Sequence, residues 1–537
     1  MKEFYVPWPV QTDAYQSGHF LQIPPGMEDF QLSAATFRKP LHYFGDLGTD
    51  YRIISAGAAP FLQLEMSARI SEKGIASGED FLSHYHATLP SEGRPDKPYP
   101  FNKEMFERIA KEFAGRIPVC IMGLPDGHAH YVGEPCMQVW TDVPGMGECV
   151  GLLEAISLPY LWSSSAVATR GRMRKQWFLE TFRKYHPGMK DDDYLLESRF
   201  IDFGLRGAAA AQITGIAHLI NWLGTDNFPA AYAAQTYLNR GKPFGANSIV
   251  ASAHRSVTPW NREVQAIHNM IERCKGGIFA FVADSYDYKR CMHMLGSNAE
   301  AIQLAGGHLV GRPDSGNPVD MIILGLQVFA KYFPVEIVDG LKVLQGASLI
   351  YADGVSDRAI FKEIYPAVVQ AGFSPLNLVF GMGEYNHRAV RSDLELASKT
   401  SVVGHYDYGL ADAVDMDYWS LSSTRNEQVL TYHNVMKKGE SRFKLSIPGP
   451  VAFRANNTKN RIMPITVEQL KRGEIGDYVV LYDGRPNPLP VYSYTFDDTR
   501  ALAERTWNAL VPNPGDTLSG DIRTMQEEYL QQINAQA

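Results

Sequence analysis

The stretch His308-Leu309-Val310-Gly311-Arg312-Pro313-Asp314-Ser315-Gly316-Asn317-Pro318 joins a short apolar run to a cluster of charged and turn-forming residues. The apolar segment Val319 to Phe333, which has helical character, follows at once. A buried strand ending in this way puts a cation, a carboxylate and free backbone N–H groups at one strand tip. Such a tip suits a sugar carrying phosphates. Arg pairs with phosphate oxygens, Asp accepts bonds from ribose hydroxyls, and Gly lets the main chain come close. Turn chemistry alone favours the same residue types, so an ordinary strand-to-helix turn reads equally well from this segment by itself.

The same strand-then-helix pattern repeats on both sides. Ile278 to Ala283 reads as a strand ending at Asp284, with a helix over Tyr288 to Leu304. Leu341 to Gln345 reads as a strand and Asp357 to Val369 as a helix. Leu376 to Phe380 reads as a strand ending in Gly381-Met382-Gly383, Ala389 to Ala397 as a helix, and Thr400 to Gly404 as the closing strand. Units of roughly 30 residues are the size of a crossover between parallel strands. The expected fold class is therefore α/β, with polar residues gathered at the strand ends where ligands bind in barrels and open sheets alike. The first 150 residues mix Pro/Gly-rich loops with helical pieces. The end carries a strand at Tyr478 to Tyr482, a helix at Thr499 to Leu510, and from Pro512 what reads as a loosely docked tail. Expected boundaries are 1–150, 151–435, 436–510 and a tail over 511–537.

At 537 residues the chain can hold more than one domain. A hydrophobic content of 45% and a charged content of 20% are those of a water-soluble globular protein. The net charge of -8 argues against nucleic acid or an anionic membrane as the main partner. Five cysteines, none in a C-x-x-C pair, fit a reducing compartment, and a cytoplasmic location is expected. No signal peptide or membrane span is read. The H-x-H pairs His84/His86 and His128/His130 lack a nearby third ligand in sequence, and no metal ligand set is assigned.

Asp13-Ala14-Tyr15, Arg38, Asp202-Phe203-Gly204-Leu205-Arg206-Gly207, Gly224-Thr225-Asp226, Ala253-His254-Arg255-Ser256, Ala283-Asp284-Ser285-Tyr286-Asp287 and Arg312-Pro313-Asp314-Ser315-Gly316 occur in this order. Together they resemble the nicotinamide phosphoribosyltransferase family of type II phosphoribosyltransferases, from Asp13 to about Asp498. The resemblance implies an irregular (β/α) barrel plus a mixed α+β domain built from the N- and C-terminal segments. It also implies transfer of ribose 5-phosphate from a 1-pyrophosphate donor to the ring nitrogen of nicotinamide, in NAD+ synthesis and salvage.

The resemblance further implies roles. Phe203 and Tyr15, the latter from a second subunit, would sandwich the pyridine ring, and Asp226 would accept from the carboxamide. Arg312 would contact the amide oxygen and the donor. Asp314, Asp284 and Asp353-Gly354 would serve the ribose and pyrophosphate end. Arg206, His254 and Arg38 would line the phosphate side, with His254 a candidate phosphohistidine if ATP is used. Mg2+ would accompany pyrophosphate, and a homodimer would share its active sites.

The family's Gly-x-Gly-Gly-Gly loop for the donor's 5′-phosphate reads here Gly381-Met382-Gly383-Glu384-Tyr385-Asn386-His387-Arg388. An acid beside a phosphate dianion is unfavourable, and bulky side chains block close backbone approach. Gln345 to Ser356 reads as a stretched version of a shorter family loop, and residues 405–425 as an insertion. The family's basic phosphate contacts are matched loosely by Arg391 and Lys399. Two donors follow: phosphoribosyl pyrophosphate, giving nicotinamide mononucleotide, or ADP-ribose 1-pyrophosphate, giving NAD+ directly, with Tyr385 or Tyr351 stacking on adenine. A non-catalytic binding homologue is the reading of another class; intact Asp314, Asp226, Arg206 and His254 argue against it.

Overall fold

The computed structural model describes residues 6–23, 28–41, 49–85, 98–203, 210–352, 354–406, 430–438, 444–457 and 459–536. The chain divides into two compact units, 1–166 with 390–537, and 167–389. No helix among the described residues is long and apolar enough to cross a membrane.

The unit 167–389 is built on a curled sheet of six strands. Their order is Phe200–Asp202, Leu378–Met382, Ala347–Ala352, His308–Arg312, Ile278–Val282 and Val250–Ala251, and every neighbouring pair is parallel. The period of two in a strand sorts its side chains onto the two faces. Phe279, Phe281, Leu309, Leu349, Leu378 and Phe380 join the large core together with the flanking helices. Ala280, Val310, Ile350 and Ile201 form a small apolar floor on the other face, with Phe203, Ile249 and Val379 packed against it. Gly311 leaves room for its neighbours, since a methyl group there would lie 2.9 Å from the side-chain ends of both Leu349 and Met292.

Two expectations need correction here. Leu341 to Gln345 is not a strand of the parallel sheet. Leu341–Leu344 pairs antiparallel with Val335–Val338, across Asp339 and Gly340 at φ of 49° and 82°. Asp-Gly is the two-residue turn that best matches strand twist, so it folds this run into a hairpin. The parallel strand is Ala347–Ala352, buried at all six residues. The stretch read as an enlarged loop is therefore a strand of the sheet.

The unit formed by the two chain ends carries an antiparallel sheet in the order Leu430–Asn434, Ala397–Tyr406, Phe30–Thr36, Pro135–Thr141, Cys120–Gly123 and Val479–Asp483. N- and C-terminal segments thus complete one α+β domain. Ala397–Tyr406 belongs to this sheet and does not close the parallel series, since it pairs antiparallel with Phe30–Thr36. The boundary expected at 435 therefore falls earlier. The segment after 511 is not a loose tail: Gly520–Gln536 is a helix. Ile522 is fully buried, Gln526 donates to the Ser446 carbonyl at 3.1 Å, and Tyr529 Oη donates to the Asn434 carbonyl at 2.5 Å.

Candidate active site

At the parallel strand ends the structure separates turn chemistry from site chemistry. Asn317 caps the helix Pro318–Phe329, accepting from the N–H groups of Val319 and Asp320 at 3.0 and 3.2 Å. Asp287 caps Tyr288–Gly296, accepting from Arg290 N–H at 2.7 Å. These two residues do the work of the ordinary turn. Asp284, Arg312 and Asp314 cap neither helix, and Asp284 meets Asp314.

Asp284 Oδ2 accepts from the Asp314 N–H at 3.1 Å and from Ser315 Oγ at 2.5 Å. His254 opens a short helix and places Nε2 3.3 Å from Asp314 Oδ2 and 3.7 Å from Asp284 Oδ1. Its Nδ1 lies 2.9 Å from Ser285 Oγ. Asp284 Oδ1 and Arg312 Nε are buried without a hydrogen-bond partner. Leaving such groups unpaired costs about 1–3 kcal/mol each, so the tip is built for a partner the protein does not supply.

A second group lies where Phe200–Asp202 ends. The Asp226 N–H donates to the Asp202 carbonyl at 2.7 Å and the Phe203 N–H to the Met382 carbonyl at 3.0 Å. Ser248 Oγ donates to Asp226 Oδ1. Burial raises the Asp226 carboxyl, while Ser248 and nearby Arg312 draw it back down. The Phe203 ring lies directly over Gly381, where a methyl group would overlap it. Gly381 therefore serves as the bed of the Phe203 ring. An aromatic ring over a small apolar floor, with a carboxylate alongside, fits a flat heteroaromatic ring carrying an N–H donor.

The loop after Leu378–Met382 turns straight into the short helix Glu384–His387. Glu384 is exposed. Tyr385 packs against the main core, and Tyr351 is buried in that core. Arg170 Nη1 donates to the carbonyls of Tyr385, Asn386 and Arg388. Asn386 and His387 are buried.

In the other unit, Arg38, Arg391, Lys399 and Lys437 lie close enough to repel one another, with Glu154 beside them. Burial first, then Arg391, lowers the Arg38 pKa. Burial first lowers that of Lys399; Glu154 raises it, and Arg38, Lys437 and Arg391 lower it further. Arg38 and Lys399 line a cleft together with Arg523 and Asp516. Half-buried cations held together against repulsion suit an anion. Tyr15 is 60% exposed and meets His19 edge-on.

The structure thus brings together His254, Asp284, Arg312 and Asp314. It brings together Phe203, Asp226 and Gly381, and separately Arg38, Arg391 and Lys399. Arg206 and Asp353 lie outside the described residues, as does most of 405–425; Gly354 is described, at φ 68°. Among the described residues no group of three or more His, Cys, Asp or Glu could hold a metal ion. Mg2+ usually needs only one or two carboxylates beside substrate phosphates, and Asp284, whose Oδ1 lacks a hydrogen-bond partner, with Asp314 fits that lesser role. Sequence reasoning missed Ser248, Ser285, Asn386 and His387. Ser285 stood inside a quoted motif, and Asn386 and His387 stood inside the loop read only as departed glycines.

Residues 198–404 match the model of the nicotinate phosphoribosyltransferase family. The chain is 29% identical over 385 residues to a nicotinamide phosphoribosyltransferase of Xanthomonas campestris pv. campestris (strain 8004), covering 70% of this chain and 76% of that protein. It is 26% identical over 422 residues to one of Acinetobacter baylyi (strain ATCC 33305 / BD413 / ADP1), covering 71% and 79%. The crystal structure of human nicotinic acid phosphoribosyltransferase matches 96% of this chain and 99% of its own, with a TM-score of 0.54 at 15% identity. That of nicotinate-nucleotide pyrophosphorylase from Pyrococcus furiosus matches 95% and 100%, with a TM-score of 0.52 at 14% identity. These two structures bear on the fold. Motif order, strand-tip geometry and sequence relatives all point the same way: the chain is similar to the nicotinate phosphoribosyltransferase family over residues 198–404 and to nicotinamide phosphoribosyltransferases over about 70% of its length.

Proposed function

We propose that the protein transfers a ribosyl 5-phosphate unit from a 1-pyrophosphate donor to the ring nitrogen of nicotinamide, in NAD+ salvage. The carrying observation is the ring pocket of Phe203, Gly381 and Asp226 in the same unit as a strand tip with an unpaired Asp284 oxygen and Arg312 Nε. The C1–O bond to pyrophosphate breaks, and pyrophosphate leaves with the electron pair. The pyridine nitrogen donates its own pair to C1. That nitrogen carries no proton, so no general base is required, and the ring takes the positive charge. Catalysis rests on aligning the ring with C1 and stabilising departing negative charge. Arg312 suits that second task. Mg2+, held with Asp284 and Asp314, would neutralise part of the pyrophosphate charge. His254, half-exposed beside the same carboxylates, is the candidate phosphohistidine if ATP is used.

Asp226 gives a reason to prefer the amide: it accepts from an NH2 and repels a carboxylate. Asp226→Asn is expected to narrow the preference for nicotinamide over nicotinate, read as the ratio of kcat/KM values. A second copy of the chain suits the exposed aromatic residues Phe228, Tyr232 and Tyr237, at 79%, 63% and 55% exposure, and Tyr15.

For the donor, the relatives' names favour phosphoribosyl pyrophosphate. Glu384, a carboxylate where the family has glycine, favours the larger ADP-ribose 1-pyrophosphate. Incubating purified protein and nicotinamide with each donor separately, and identifying the product by mass, decides. Nicotinamide mononucleotide supports the first donor and NAD+ the second; no product from either defeats the reading.

A further inference from the structure

His387 stands at the end of the rebuilt loop with both ring nitrogens engaged. Nε2 lies 2.6 Å from Asp202 Oδ1 and Nδ1 lies 2.7 Å from Thr214 Oγ1. The Thr214 hydroxyl also lies 3.1 Å from the Ala210 carbonyl. Nε2 donates to the Asp202 carboxylate, and neither side chain is exposed. A polar pair removed from water persists only when its remaining groups are also satisfied. Asp202 Oδ2 accepts from Asn227 Nδ2 at 3.3 Å. Asn386 Nδ2 reaches His218 Nδ1 at 3.2 Å, and His218 Nε2 donates to the Gly224 carbonyl at 2.9 Å. His218 is thus neutral, in keeping with burial that lowers its pKa to about 4. Asn386 Oδ1 accepts from Arg174 Nη1 at 3.2 Å, and Arg174 forks onto buried Asp357.

What matters is which residues stand next to this network in the chain. Asp202 precedes Phe203, and its carbonyl holds the Asp226 N–H. Asn227 follows Asp226. Asn386 and His387 end the loop that begins at Gly381, the bed of the Phe203 ring. The network therefore grips the main chain behind the ring pocket and behind the loop through side chains that are themselves buried.

We propose that the Asp202–His387 pair is a positioning device that locks the loop 383–388 to the nicotinamide pocket, so that the two ends of the site keep one geometry. The inference rests on the functional reading above and adds to it residues that touch neither substrate. A purely structural pair would change stability and leave the KM values of the folded enzyme alone.

The test is steady-state kinetics on the full chain with both substrates varied, using whichever donor the wild type accepts, for wild type, His387→Leu, His387→Gln and Thr214→Val. His387→Leu is expected to raise the KM for nicotinamide and for the donor about tenfold each, with a smaller change in kcat. His387→Gln keeps an N–H toward Asp202 and is expected to return both KM values to within about threefold. Thr214→Val, which frees the ring to turn, is expected to fall between them, and it carries the same readout if the Leu variant does not fold. A folded Leu variant with both KM values unchanged, or with only one raised, overturns the proposal, as does a Gln variant no better than Leu. Wild-type protein that makes no product with either donor defeats the functional reading itself and the coupling with it, a result plainly distinct from an active wild type with unchanged variants.

Discussion

Two ends of the same parallel sheet treat buried polar groups in opposite ways. At Asp284, Arg312 and Asp314, one carboxylate oxygen and one guanidinium nitrogen are buried without hydrogen-bond partners. Beyond Leu378–Met382, the loop ends in Asn386 and His387, whose side chains are bonded to protein. The first end is unfinished until a ligand arrives; the second has turned its polarity inward. The proposed function puts chemistry at the first and shape at the second.

The largest expected effect tests the first end. Asp314→Ala should lower kcat about 10³-fold with the melting transition intact, measured by product formation alongside circular dichroism. Retained turnover would mean that the unfinished tip is not where reaction occurs. Next, Asp357→Ala leaves Arg174 buried beside Asn386 and should lower unfolding free energy by about 3 kcal/mol, read from denaturant midpoints. If stability holds, the second end is not the closed structure described. A smaller effect sits where the two ends meet: Gly381→Ala pushes on the Phe203 ring and should raise the KM for nicotinamide about tenfold while sparing the melting temperature.

The smallest effect is a change of sign with pH. Burial alone would raise the Asp202 carboxyl, but the His387 bond and the His218 and His387 rings outweigh it, so it lies below the ordinary value of 3.8. Its contribution to stability is complete above that value and is lost as pH falls through the native pKa. Removing His387 leaves burial as the stronger influence, so His387→Leu should gain relative stability as pH falls toward 4. Acid titration of unfolding midpoints for both proteins reads this directly.

The strands at Ile278, His308 and Leu378 were legible because apolar runs end there in polar tips, and burial on both faces leaves little ambiguity. Ala347–Ala352 was not legible: the preceding run Leu341–Leu344 looked equally strand-like, and only the Asp339-Gly340 turn shows that it folds back on Val335–Val338. Gly520–Gln536 was missed because it docks through few apolar residues, Ile522 among them, with Gln526 and Tyr529 holding it by hydrogen bonds. The polar residues at the strand tips were legible one by one. The Asp202–His387 pair was not, because its partners stand 185 positions apart and each alone reads as an ordinary polar residue.

The closed network also constrains how such a sequence can change over time. A partly satisfied buried polar network is worse than an apolar one, so its members gain little by appearing singly. Asn386, His387, His218 and Asp202 should travel as a block from one descendant to the next, each depending on the others being present. In a set of related chains, Asn-His at this loop should coincide with histidine at the position of His218, which makes the pair a marker for this form of the loop wherever only sequence is known.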